Sequence, residues 1–64
     1  MSNKNIEIAV DIKHMTDSAV LVSDGNKEVW IPKGQIEDYT DELIVGHSIT
    51  VLIPEWLALD KGLI

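Results

Sequence analysis

Ile6, Ile8, Val10 and Ile12 alternate with Glu7, Ala9, Asp11 and Lys13 without a break. A period of two sustained over eight residues marks a strand with one buried face and one wet face, and it commits the chain to a sheet. Ile49, Val51 and Ile53, interleaved with Thr50 and Leu52, repeat the pattern near the other end. Between them, Ala19-Val20-Leu21-Val22 is a short continuous apolar run, which reads as a strand covered on both faces. β-branched residues dominate up to Ile53 and favour strand over helix.

The punctuation between these runs sets the strand order. Asp24-Gly25 separates two strand patterns and is the preferred pair for a two-residue type I′ hairpin, which would set Val22 against Lys27 and Val20 against Val29. Val20, Val22, Val29 and Ile31 then share a core face, and Trp30 falls on the opposite one with Ala19 and Leu21. The segment 14–18 has turn character, and Pro32 ends the third strand. Lys33-Gly34-Gln35 reads as one helical or 3₁₀ turn, with Ile36 tucked in as a plug. Gly46 suits a turn before the last strand. Pro54 fits the first position of a short helix, Glu55 complements its N-terminal end, and Gly62 stops it. That helix is too short to stand alone and is expected to pack through Trp56, Leu57 and Leu59 or Leu63. Leu63 and Ile64 are placed along a sheet edge.

This order predicts a mainly β fold: a small antiparallel SH3-like barrel of four to five short strands with a short C-terminal helix. The 64 residues make one domain, 1–64, near the lower size limit for independent folding. There is no cysteine, so neither a disulfide nor a thiolate zinc site supports it, and an aliphatic core must. There is no Phe either; Trp30, Trp56 and Tyr39 are the large rings. In such a chain the two tryptophans read first as core closures, Trp56 as the helix anchor and Trp30 as cover. No apolar run approaches the ~18 residues of a membrane span, and the polar start 1–5 lacks the apolar core of a signal peptide. The expected location is the cytoplasm.

Eleven acids against five lysines, with no arginine, give a net charge of −6. Arginine supplies the bidentate phosphate and guanine contacts of nucleic-acid readers, so its absence from an acidic chain argues against direct nucleic-acid binding. The charge favours a protein partner with a basic surface. Glu37-Asp38-Tyr39-Thr40-Asp41-Glu42 carries four carboxylates in six residues and is read as an acidic loop. Its candidate contact residues are Glu37, Asp38, Tyr39, Asp41 and Glu42, with Trp30 as a second aromatic anchor, because Trp and Tyr are enriched at binding hot spots.

His14 and His47 belong to no HxH or HExxH spacing, and the acidic stretch lacks the EF-hand pattern. There is no GxSxG elbow, P-loop or dinucleotide fingerprint. A chain of this length has little room for a concave pocket of the usual ~300 Å³. The expectation is a protein that is not an enzyme and that has no metal or other cofactor.

Asp24 to Ile36 reads "DGNKEVWIPKGQI", and the chain closes on "IPEWLALDKGLI". With their spacing these motifs, over roughly 18–64, resemble a set of short proteins encoded by phages and prophages, in which the residue after Lys33 is often Ser where this chain has Gly34. The resemblance transfers no catalytic residue. It implies a phage accessory protein acting in the host cytoplasm by binding a host protein or complex, such as an anti-CRISPR-like inhibitor of a nucleic-acid-handling or defence system. Two alternatives stand beside it: a small barrel binding single-stranded nucleic acid through Trp30, Lys27 and Lys33, and a structural homo-oligomer.

Overall fold

A computed structural model, describing residues 4–40 and 42–64, has five strands, a 3₁₀ turn at Lys33–Gln35 and one helix. The strands are β1 (Asn5–Met15), β2 (Ala19–Ser23), β3 (Glu28–Pro32), β4 (Asp38–Tyr39) and β5 (Ser48–Pro54), and the helix is α1 (Glu55–Asp60). Every pairing is antiparallel, in the spatial order β3-β2-β1-β5-β4. The protein is mainly β, with the strand number and short C-terminal helix that the sequence patterns indicate.

β1 is the spine, flanked by β2 and β5. Its alternation buries Val10 and Ile12 and half-buries Ile6 and Ile8, while Glu7 and Ala9 face out. The strand continues past its expected end, and only 16–18 turn. Ile12 opposes Val22 and His14 opposes Leu21, so Lys13 is the extra residue of a β-bulge. One extra residue reverses the alternation. Met15 thereby packs against the core, and His14 joins the outer face. Thr16 then closes the turn, its Oγ1 accepting from Ala19 N–H at 3.0 Å.

The β2–β3 hairpin forms with a different register from the expected one. Val22 opposes Val29 and Val20 opposes Ile31. The central loop residues are Gly25 and Asn26: Asp24 N–H donates to the Lys27 carbonyl at 3.3 Å. Type I′ would need Asp24 at positive φ, whereas among the described residues only glycines have one, and Gly25 has φ 93°. Asp24 instead caps the loop, its Oδ1 accepting from Asn26 N–H at 2.8 Å and Lys27 N–H at 2.9 Å. Those two amides, Asn26 first, hold the Asp24 carboxyl below its ordinary 3.8. Moving the loop by one residue shifts the register by two, so every side chain keeps its face. Val20, Val22 and Ile31 are fully buried, as the sequence requires.

Gly46, at φ 95°, occupies the third position of a turn closed by His47 N–H to the Ile44 carbonyl at 3.1 Å. That turn delivers β5, whose Ile49, Val51 and Ile53 are buried. Pro54 is still strand-like at φ −60°, ψ 140° and serves as the helix N-cap, one residue earlier than its expected place. α1 ends in a Schellman motif: Leu63 N–H reaches the Ala58 carbonyl at 2.8 Å and Gly62 N–H the Leu59 carbonyl at 3.2 Å, with Gly62 at φ 74°. The motif turns Leu63 onto the core, so 63–64 add no strand at a sheet edge.

The buried face of α1 is Leu57 and Ala58. At 100° per residue, that leaves Trp56 and Leu59 on the flanks turned away from the sheet, and they are 55% and 59% exposed. Trp56 is therefore not the helix anchor. Residues from β1, β2, β3, β5 and α1 form one core cluster, with Ile36, Leu43 and Leu63 packed against it. A six-residue helix is about 9 Å long and cannot cover a flat five-stranded sheet about 20 Å wide. The complete burial of Val20, Ile31, Val51 and Ile53 together requires the sheet to coil around its own core. The radius of gyration is 10.7 Å, matching the roughly 11 Å of a compact chain this long. Among the described residues β3 and β4 are opposite edges, and no ladder between them closes the coil into a barrel.

Candidate protein-binding surfaces

The outer face of the sheet is laid out by the ladders. Glu7, Leu52 and Asp38 make one cross-strand row, and Ala9 opposes Thr50 in the next. Asp11 sits between Ser48 and Ser23, with Glu28 beyond Ser23. His14, Leu21 and Trp30 form the last row. Residues opposite one another share a face, so acids placed far apart in the chain gather on one side of the sheet.

Two open grooves run across this face. The first, about 310 Å³, lies over Ala9, Asp11, Ser48 and Thr50 and is walled by Ser23, the Asp24-Gly25 corner and Thr40. The second, about 270 Å³, lies between Glu7 and Leu52 on one side and Asp38, Tyr39 and Thr40 on the other. Thr40 and Thr50 line both, so the two grooves are neighbours on one face, and together they make up an acidic trough in two parts. Among the described residues its polar side chains are four carboxylates and four hydroxyls with one phenol, and no lysine lines it. Each volume is close to the lower limit for a pocket, but the trough is a furrow on a sheet face.

Its inner end is held in place. Ser48 Oγ donates to Asp11 Oδ1 across the β1–β5 ladder. Ser23, the one buried polar residue among the described residues, accepts through its hydroxyl from Gly25 N–H at 3.1 Å. At the other end Thr40 Oγ1 accepts from Thr50 N–H at 3.0 Å, and Thr40 N–H donates to the Thr50 carbonyl at 3.0 Å.

The expected acidic loop is therefore in part an edge strand. β5 would otherwise leave an unpaired edge, and Glu37 N–H and Thr40 N–H satisfy the Leu52 and Thr50 carbonyls at 2.7 and 3.0 Å. Of the candidate residues, Asp38 and Tyr39 enter the trough, Tyr39 being 47% exposed. Glu37 and Glu42 are exposed outside it, and Asp41 lies outside the described residues. Trp30 is on β3, at the opposite sheet edge, 43% exposed and edge-on to His14 with ring centroids 6.0 Å apart. Trp30 and the acidic segment are separated by β2, β1 and β5. Glu7, Asp11 and Asp24 were missed by the sequence reading. The signal for the first two was present, since they occupy the wet positions between Ile6, Ile8, Val10 and Ile12.

Lys27 does not flank Trp30. A Cβ built on Gly62 would stand 2.5 Å from Lys27 Nζ, so this ammonium lies against the C-terminal end of α1, on the face opposite Trp30. Among the described residues no trio of His, Asp or Glu is gathered to hold a metal ion, and no helix is long and apolar enough to cross a membrane. No protein-family model, curated protein or solved structure matches this chain.

Proposed function

We propose that this chain is a non-catalytic binding module that docks onto a basic surface of a protein partner through the outer face of its sheet. The observation that carries the reading is the lysine-free trough, where Glu7, Asp11, Asp24 and Asp38 surround a floor of hydroxyls. Carboxylates and hydroxyls are acceptors for the ammonium of Lys and the fork of Arg, and a furrow aligns several such contacts. Tyr39 at the rim adds an aromatic anchor. The phage-like motifs favour a host protein or complex in the host cytoplasm as the target, with anti-CRISPR-like occlusion of a nucleic-acid-binding groove as the mode of action. The reading through Trp30, Lys27 and Lys33 is disfavoured, because Lys27 points to the helix on the other face.

The test is capture from host lysate on the tagged protein, washed at low and high salt. A basic partner retained at low salt and released by salt is expected. Glu7→Gln with Asp38→Asn should weaken its retention at least tenfold and flatten the salt dependence, while Asp60→Asn on α1 leaves it unchanged. Equal retention of the trough variant at low salt removes the trough from the proposal.

A further inference from the structure

Asp24-Gly25 is the residue pair of this chain most open to succinimide chemistry, because glycine leaves its own nitrogen unhindered beside the preceding carboxyl. In that reaction the Gly25 nitrogen gives up its proton and bonds to Asp24 Cγ, and a carboxyl oxygen leaves as water. The ring reopens by taking water back. Attack of that water on the side-chain carbonyl restores aspartate. Attack on the main-chain carbonyl yields isoaspartate, with the backbone routed through Cγ.

The hairpin loop opposes each part of this ring closure. The nucleophile is engaged: Gly25 N–H donates to Ser23 Oγ at 3.1 Å, and Ser23 is buried, so its hydroxyl is held. The electrophile is engaged too, since Asp24 Oδ1 accepts from Asn26 N–H at 2.8 Å and Lys27 N–H at 2.9 Å. Both bonds favour the carboxylate over the neutral carboxyl that can expel water. Closure also needs Asp24 to turn about its Cα–C bond. Its own N–H, bonded to the Lys27 carbonyl at 3.3 Å, holds the loop against that turn.

Asp17-Ser18, in the turn between β1 and β2, is the control that the chain itself supplies. Of the residues that follow its six aspartates, only Gly25 is smaller than Ser18. Asp17 and Ser18 are exposed, and among the described residues neither the Asp17 carboxylate nor the Ser18 N–H is hydrogen-bonded within the chain.

We infer that Asp24-Gly25 is a conditional modification site: the folded loop keeps it as aspartate, and isoaspartate forms there when the hairpin end opens locally. The product does not fit the native loop. It has one more backbone carbon between Asp24 and Gly25, and its carboxylate sits on Cα, away from the Asn26 and Lys27 amides. Asp24 also walls the inner end of the trough, so the modification marks a molecule whose loop has opened and removes that wall. The inference does not depend on what the trough binds.

Peptide mapping by mass spectrometry tests this, with electron-transfer fragmentation to separate isoaspartate from aspartate. The whole chain is incubated at neutral pH, folded in buffer and unfolded in guanidinium chloride at the same temperature. Unfolded, Asp24 is expected to isomerise faster than Asp17. Folding should slow Asp24 at least tenfold and slow Asp17 by a smaller factor. Ser23→Ala, which frees the Gly25 amide, should raise the folded rate at Asp24 several-fold and leave Asp17 unchanged, with an unchanged circular dichroism spectrum. The comparison of folded and unfolded rates needs no variant. Asp24 reacting as fast in the fold as in denaturant overturns the proposal, as does a slowing at Asp24 no greater than that at Asp17.

Discussion

Gly62 combines two constraints at one residue. Its φ of 74° closes the Schellman motif, and a methyl there would meet the Lys27 ammonium at 2.5 Å. The lysine end is flexible and can retreat, so the backbone conformation dominates the cost of any side chain. Gly62→Ala should destabilise the fold by about 1–2 kcal/mol, read as a drop of roughly 4–16 °C in Tm by thermal melting. Gly25→Ala faces the same backbone penalty with open space around its Cβ. Asp24 also acts locally: its carboxylate, held ionised by the Asn26 and Lys27 amides, is what places the loop one residue beyond the Asp-Gly pair. Its contribution is complete above the unfolded carboxyl range and fades as pH falls through the lowered folded value.

At the scale of elements, α1 shows how a short helix divides its labour. Leu57 is 3% exposed and Ala58 fully buried, while the larger Trp56 faces solvent. Leu57→Ala removes a buried side chain at a cost of about 2–5 kcal/mol, a large share of the roughly 3–10 kcal/mol of a domain this small. Trp56→Gln should change stability by no more than about 0.5 kcal/mol. Urea unfolding separates the two; an equal loss from both would restore Trp56 to the core. The sequence pointed to Trp56 because a ring of that size is commonly buried. Six helical residues present one narrow stripe to the sheet, and the phase that Pro54 imposes gave that stripe to Leu57 and Ala58.

Across the whole molecule, the strand order grades stability from the centre outward. β1 pairs with β5 over residues 5–11 and with β2 over residues 11–15, so it lies in a ladder along almost its whole length, whereas β3 and the two-residue β4 are edges. Hydrogen exchange should therefore find its slowest amides in β1 and the strands beside it, and the fastest strand amides in β4. Uniform protection across all five strands would mean that the edges are tied more tightly than their pairing indicates. The sequence alone determined four of the five strands, the faces they bury and where the glycine turns fall, because period-two alternation and positive φ are local demands; the edge strand β4 and the end of β1 it did not show. It determined the net acidity for the same reason. Strand neighbours, the β1 bulge and the hairpin register depend on hydrogen bonds between distant segments, and only the tertiary structure decided them. It also decided that Glu7, Asp11, Asp24 and Asp38 form one surface, since ladders bring together carboxylates that the chain keeps up to 31 positions apart.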